Sequence, residues 1–393
     1  MKIVLVIANA YGMGGTIRTV YNIAGGLAAD HEVEILSLVQ HRERPFFAPP
    51  QGVRLHALCP TPGWTERPRQ GVLQRWREKR PTLTVAPSEQ HDNAAFSART
   101  ERELRTYLRA SDADVVVGTR PGINMLLAKW APERLLTIGQ EHVHLDNHKP
   151  DVRSRIAALY PRLDGMTVLT QADLRSYEDF LPVQSGWLTT MPNALPPGEY
   201  PRSTLENPII AAAGRLTPIK QYPKLLEAFA VVARAHPNWR LRIYGGGGNE
   251  SKLKAKIAEL GLHNQAMVMG RTKDLTGELA KASILAVSSR AEGFGMTIIE
   301  GFSVGLPAVS FDCPHGPREI ITHERDGLLV PHQDVTALAE GMLRLVENPE
   351  ERRAMSAEAL KSARRYDLPL ITERWEKFLT ERMAAKPNRA NRR

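Results

Sequence analysis

Two carboxylates stand eight positions apart in Glu292-Gly293-Phe294-Gly295-Met296-Thr297-Ile298-Ile299-Glu300, around a glycine-flanked aromatic. The preceding Ser283–Ser288 is an apolar, strand-like run, and the residues after Gly295 open a helical pattern, so the stretch reads as strand, glycine turn, helix. A helix N-terminus behind a glycine turn offers unpaired N–H groups and a positive dipole end to an anion. Carboxylates repel phosphate but accept hydrogen bonds from hydroxyls. Amides for phosphate beside carboxylates for hydroxyls is the chemistry of a nucleotide-sugar site. General acid/base work is the other chemistry that paired carboxylates offer.

Gly214-Arg215-Leu-Thr-Pro-Ile-Lys220 follows a second apolar strand in the same half. Two fixed cations there could neutralise a leaving diphosphate without a metal. Tyr244-Gly245-Gly-Gly-Gly248 follows a further strand; its glycines permit close approach of a ligand, or make a flexible turn. Asp312-Cys313-Pro-His315-Gly316 ends another strand, with Gly316 able to offer amides and His315 a side chain. In the first half, Gly12-Met-Gly14-Gly15-Thr16 resembles a dinucleotide fingerprint only loosely, and the second strand ends in Gln40 without the acid that holds an adenosine ribose. This argues against a nicotinamide cofactor and leaves a helix-opening turn that another group can approach. Gln140-Glu141-His142-Val-His144-Leu-Asp146-Asn-His148 is rich in metal-ligand types, but its spacing off a strand end is no zinc pattern. One histidine at the strand tip, bonding sugar or acceptor, is the preferred reading. Asp112-Ala-Asp114 has the form of a metal–diphosphate motif, yet it precedes a strand and reads as a helix-to-strand turn.

These residues need strands and helices to carry them. Apolar runs predict strands over 2–8, 32–39, 53–57, 115–118, 135–140, 165–169 and 187–191, then 209–213, 241–244, 266–269, 284–287, 308–310 and 328–330, with helical patterns between. The fold class is α/β, with two Rossmann-like, doubly wound parallel sheets in series, facing each other across a cleft. The proline-dense Met191–Pro201 marks the linker. Residues 1–193 are expected to form one domain, with a C-terminal helix at about 368–384 packing back on it. Residues 194–367 form the other, and 385–393 a disordered basic tail. A Pro/Arg-rich insertion spans about 60–90.

The chain has 393 residues and a formal charge of +9. Arg67, Arg69, Arg75, Arg77, Lys79 and Arg80 are gathered in one segment, 67–80, interleaved with Trp64, Val72, Leu73 and Trp76. Docking on an anionic membrane or acidic polymer is one reading of 67–80, a solvated loop the other. Cys59 and Cys313 make no metal or redox spacing, and no apolar run reaches the ~20 residues of a membrane span. A cytoplasmic location follows, peripheral at the inner face of the membrane if 67–80 docks there, with no nucleic-acid partner.

The assembled residues resemble family 4 of the retaining glycosyltransferases, which have the GT-B fold. The resemblance rests on Gly14-Gly15, Gly214-Arg215 with Lys220, Glu292 through Glu300, the continuation Gly301-Phe-Ser-Val-Gly305-Leu-Pro, and Asp326-Gly-Leu-Leu-Val-Pro331. It implies that Arg215 and Lys220 bind the donor diphosphate, Glu300 the ribose and Glu292 the transferred sugar. It implies further that amides of Gly293, Phe294, Gly295, Met296 and Thr297 meet donor phosphate or sugar. Gly14, Gly15 and Gly245 belong to that donor site, and the backbone near Arg271 meets the base. The resemblance implies that His142 stands beside the reacting sugar, although Gln-Glu-His-Val-His departs from the family pattern and leaves His142 or His144 open. His315 is a third acceptor-side candidate. Gly316–Ile321 is similar to members acting on cell-surface polymers or lipid-linked glycans.

The resulting expectation is a retaining transferase using a UDP- or GDP-sugar without an essential metal or other cofactor. Lys220, Arg215, His142 and Glu292 would be its catalytic set, with the first domain reading the acceptor. A synthase of small soluble glycosides or sugar phosphates is the alternative, and a non-catalytic carbohydrate-binding relative a remote one.

Overall fold

Strands that are covered on both faces need apolar side chains on both, so they read as unbroken hydrophobic runs. The thirteen predicted runs coincide, to within three residues at either end, with thirteen strands in the computed structural model, which describes residues 1–60, 80–182 and 184–386. The chain divides into two compact units, Met1–Pro196 together with Leu368–Arg393, and Pro197–Asp367.

The first unit holds β1 (Lys2–Ile7), β2 (Glu32–Gln40), β3 (Val53–Pro60), β4 (Val115–Gly118), β5 (Leu136–Gln140), β6 (Gly165–Val168) and β7 (Leu188–Thr190). All pair in parallel, in the order β3-β2-β1-β4-β5-β6-β7. Ile3 lies opposite both Val33 and Val115. Successive side chains alternate between faces. Ile3, Leu5, Val115 and Val117 enter one buried cluster, and Val4, Val6 and Val116 the other. The first cluster is closed by the helices Gly15–Leu27 and Leu368–Ala385, the second by Ala98–Ala110 and Pro121–Trp130.

The last helix therefore belongs to the first unit, with Ile371, Trp375, Phe378 and Leu379 buried. It continues to Ala385, which is exposed, and Lys386 Nζ lies 2.6 Å from Asp164 Oδ2, so the expected tail begins with a helical residue and a tethered one. Residues 387–393 lie outside the described residues. So do 61–79, and with them all of the 67–80 segment except Arg80. The last part of the expected insertion packs against the first unit. Thr84, Val85 and Ala86 are buried, and Glu89 accepts hydrogen bonds from Arg120 Nε at 2.7 Å and Gly122 N at 3.2 Å. The Asp112–Asp114 turn sits at the amino edge of the sheet, where Asp114 accepts from Lys2 N at 2.7 Å.

The second unit repeats the plan with β8 (Ile209–Ala213), β9 (Arg240–Tyr244), β10 (Ala266–Gly270), β11 (Ile284–Val287), β12 (Ala308–Phe311) and β13 (Gly327–Val330), in the order β10-β9-β8-β11-β12-β13. In each sheet the first strand sits centrally and chain order reverses on either side of it. This is the doubly wound arrangement, and its switch points are β1/β4 and β8/β11. No helix among the described residues is long and apolar enough to cross a membrane.

Because Trp375 is 1% exposed in the core shared with β1 and β4, Trp375→Ala should cost the first unit about 3–5 kcal/mol. Hydrogen exchange reads this locally. Amides of β1 and of the helix Gly15–Leu27 should lose protection while those of β8 and β11 keep theirs. Equal loss in both units would contradict this assignment of the last helix.

Candidate active site

At the β8/β11 switch point the chain leaves the two strands toward opposite faces of the sheet. Beyond β8 it enters the helix Tyr222–Ala235, whose Leu225, Leu226 and Phe229 share a core with Ile210, Ala212 and Ala286. Beyond β11 it enters the helix Met296–Ser303, where Gly301 lies against Leu285, on the other face. The diverging loops leave a crevice at the carboxyl ends of the strands, which is where ligands of such sheets bind.

Both loops are tied down there. Pro218–Lys220 forms a single 3-10 turn, ended by Gln221 at φ +47°. Arg290 N donates to Ile219 O at 2.8 Å, and Ser288 Oγ to Lys220 O at 2.8 Å. This brings Lys220 Nζ within 2.6 Å of Glu292 Oε1, and Ser289 Oγ donates to that same oxygen at 2.6 Å. The Lys220 and Glu292 side chains are 18% and 12% exposed. With Tyr222, Ser288, Thr297 and Ile298 they line one pocket. The Tyr222 hydroxyl is buried and has no hydrogen-bond partner among the described residues. Burial, then the charge on Glu292, holds its pKa far above the ordinary phenol value. The neighbouring Cys313 thiol is pushed up to about 12 by burial and by Glu292, with Lys220 opposing, so it stays protonated.

The helix Met296–Ser303 begins at Gly295, φ +114°, without a side-chain cap or an acid in its first turn. Its first N–H groups are therefore available to an anion. Phe294 turns inward, edge-on to Tyr366 with centroids 5.6 Å apart, so only the backbone of Gly293–Gly295 can serve a ligand there. Glu300 is 4% exposed on that helix, and Thr297 Oγ1 donates to Ala213 O at 3.3 Å.

Arg215 is exposed and makes no ion pair among the described residues. The two expected cations thus differ, one occupied by Glu292 and one open. Gly245, at φ +147°, is glycine for a reason within the protein, since a Cβ there would lie 1.9 Å from Gly214 O. The glycine run that looked suited to a ligand is first required by the β8 loop. Arg271 lies across Gly246, so the 245–248 loop and Arg271 form one surface. Gly316, at φ +92°, likewise admits the backbone of Phe294, and His315 takes φ +62° beside it.

In the first unit Gly14 begins the helix Gly15–Leu27, which has no side-chain cap and no acid in its first turn, and a Cβ at Gly15 would meet nothing within 4 Å. The histidines after β5 separate clearly. His144 is 2% exposed; its Nδ1 accepts from Asp146 N at 3.2 Å, and its Nε2 lies 3.3 Å from Asp173 Oδ1. These contacts build it into the loop. His142 Nε2 has no hydrogen-bond partner among the described residues, and burial draws its pKa down to about 4, leaving a neutral imidazole at pH 7. Glu141 is fully buried, accepts from Asn124 Nδ2 at 2.8 Å and from the Tyr160 hydroxyl, and faces His148 Nε2 at 3.6 Å. Burial lowers the His148 pKa, but the hydrogen bond and charge of Glu141, together with the charges of Glu89 and Asp173, outweigh it and the net shift is upward.

Ser288, Ser289 and Tyr222 line this pocket and were not singled out by the sequence. The two serines stand where β11 ends, and Tyr222 occupies a first-turn position next to Pro223, so each reads as ordinary local structure.

Burial pushes Asp173 up to about 7, against the Leu145 N–H that favours its charge. The folded state then holds this proton more tightly than the unfolded chain does. That contribution to stability is complete below about pH 4 and is lost as pH rises through 7. Asp173→Asn keeps the acceptor for Leu145 N–H, so its stability relative to wild type should improve from pH 5 to pH 8, by about 1 kcal/mol or more. A difference in denaturation midpoint that is constant with pH would refute it.

Residues 201–362 match the family model described as Glycosyl transferases group 1. An exopolysaccharide phosphotransferase of Streptomyces coelicolor is 36% identical over 97% of this chain, but the chain spans only 41% of that protein. An undecaprenol-diphosphate-glycan alpha-1,4-N-acetyl-D-galactosaminyltransferase of Campylobacter jejuni is 26% identical over 97% of this chain and 99% of its own length. Among solved structures, a variant of S. aureus TarM in complex with fondaparinux, alpha-GlcNAc-glycerol and UDP has a TM-score of 0.77 at 15% identity, over 96% of this chain and 99% of that one. The two doubly wound sheets make this a GT-B fold, and the family match and relatives support a GT-B glycosyltransferase.

Proposed function

We propose that the chain is a retaining glycosyltransferase of family 4 type. It moves a sugar from a UDP- or GDP-sugar to a hydroxyl of a cell-surface polymer or lipid-linked glycan, without an essential metal. The observation that carries this reading is the Lys220–Glu292 contact at the β8/β11 switch point, beside the uncapped N-terminus of Met296–Ser303. Cation and helix amides suit a diphosphate, and carboxylates suit hydroxyls. The relatives named above are an exopolysaccharide phosphotransferase and a transferase named for an undecaprenol-diphosphate glycan, and the TarM complex contains UDP, in keeping with such a donor.

In this reading Glu300 holds the ribose, Glu292 the transferred sugar, and Arg215 and Lys220 the diphosphate. The bond from the anomeric carbon to the phosphate oxygen breaks as the acceptor oxygen bonds to that carbon on the same face. The acceptor proton passes to the leaving phosphate oxygen. The protein contributes position and fixed charge. His142, neutral and with no partner for Nε2 among the described residues, is the first-unit group proposed to meet the sugar. The first unit would supply the acceptor contacts, and the 67–80 segment a membrane contact.

The Streptomyces relative favours a second reading, transfer of a sugar phosphate. The leaving group separates the two, because glycosyl transfer releases a nucleoside diphosphate and phosphotransfer a nucleoside monophosphate. With a donor–acceptor pair that turns over, UDP or GDP should accumulate, not UMP or GMP. Lys220→Ala should lower kcat about 10²–10³-fold, as loss of a group that stabilises developing charge does. Glu300→Gln should weaken donor binding about tenfold. Wild-type constants in both variants would remove the site assignment.

A further inference from the structure

Lys220 and Glu292 neutralise each other in the pocket where a diphosphate is to bind. A phosphate oxygen can reach the ammonium only in competition with a carboxylate 2.6 Å away. We propose that this ion pair is a selector, favouring the intact nucleoside-diphosphate sugar over the free nucleoside diphosphate left after transfer. The inference rests on the glycosyl-transfer reading of the same pocket.

The surroundings confine the exchange to side chains. Arg290 N to Ile219 O and Ser288 Oγ to Lys220 O fix the two loops on each other, so releasing the pair requires only that the Lys220 side chain turn. Ser289 stays with Glu292 throughout, because its hydroxyl donates to Oε1 independently of the lysine. Glu292 Oε2 has no partner among the described residues. The rest of the pocket offers no replacement cation. Its other lining residues include Ala213, Ala286, Val287 and Ile298, and Lys220 is its one cation among the described residues.

A free nucleoside diphosphate that takes Lys220 therefore leaves Glu292, 12% exposed, with the Ser289 hydroxyl as its one protein donor among the described residues. A carboxylate deprived of its cation in a poorly solvated site is costly, and more so the less it is hydrogen-bonded. A sugar on the same diphosphate brings hydroxyls that can donate to Glu292 as Lys220 turns away. Only the intact donor satisfies both halves of the broken pair. Once the sugar has left, Glu292 competes again for Lys220, which assists release of the product.

The test is calorimetric titration of the full chain with UDP, GDP, UDP-glucose, UDP-N-acetylglucosamine and GDP-mannose, for wild type, Glu292→Gln and Ser289→Ala. Glu292→Gln removes the internal competitor while keeping its shape, so it should bind the free diphosphate about tenfold more tightly. The sugar nucleotide should gain less or lose affinity, so the preference for it narrows at least fivefold. Ser289→Ala should weaken the sugar nucleotide and leave the free diphosphate within twofold. If wild type turns over a sugar nucleotide and Glu292→Gln binds free diphosphate no more tightly, the selector is overturned and the glycosyl-transfer reading stands. If wild type binds none of the five probes, both fall.

Discussion

The candidate site depends on one strand pairing. β11 meets β8 through just two register pairs, Ile284 with Ile210 and Leu285 with Ala211. That short contact sets two loops side by side at their carboxyl ends, one carrying Lys220 and the other Glu292. The residues are 72 positions apart in sequence, and no local preference joins them. What joins them is the parallel sheet itself. A parallel sheet needs crossover connections, and the crossovers here lead to opposite faces, leaving the crevice between. The pairing is buried on both sides, with Ile284, Leu285, Ile210 and Ala211 all at 0% exposure. The placement of the charges is thus as firm as the core beneath them.

Backbone-to-backbone packing then fixes the loops. Gly245 admits Gly214 O, and Gly316 admits Phe294 O. In each case a missing Cβ lets a neighbouring loop close to a distance that no other residue permits. Both contacts join loops at the carboxyl edge of the same sheet, so that edge is a packed surface bearing Arg215, Lys220, Glu292 and the amides of Gly295–Thr297. Tolerances in such a surface are tight, because one added carbon would have to displace a carbonyl.

Much of this was legible in the sequence, for identifiable reasons. The strands were readable because burial on both faces leaves runs such as Ile-Leu-Ala-Val at 284–287 with no polar interruption. The placement of Glu292 and Lys220 at the carboxyl edge of the sheet was readable because each follows such a run, and ligands of doubly wound sheets bind at that edge. The different surroundings of His142 and His144 were not readable. They turn on Asp173, which approaches His144 from the start of another helix. The meaning of the 245–248 glycines was hidden for the same reason, since their partners are Gly214 and Leu216 of another loop. Motif and spacing report what a position can do; the partner that claims it comes from far along the chain.

Lys220 and Glu292 look at first like a stabilising ion pair, and energetics argue against that as their main role. Both are largely withdrawn from water, and desolvation offsets most of the attraction in such pairs. Had stability alone mattered, apolar residues continuing the Ala213, Ala286 and Ile298 lining would serve as well. A paired lysine and glutamate do something apolar residues cannot. In the proposed reading they hold two opposite charges in place, without net charge, until something bearing both an anion and a hydroxyl arrives. The bond from Ser289 to Glu292 fits that role, because it keeps one member oriented when the other departs. So does the packing of the loops, which spares the site a backbone rearrangement on binding. In that reading the contact that neutralises the pocket also shapes what can open it.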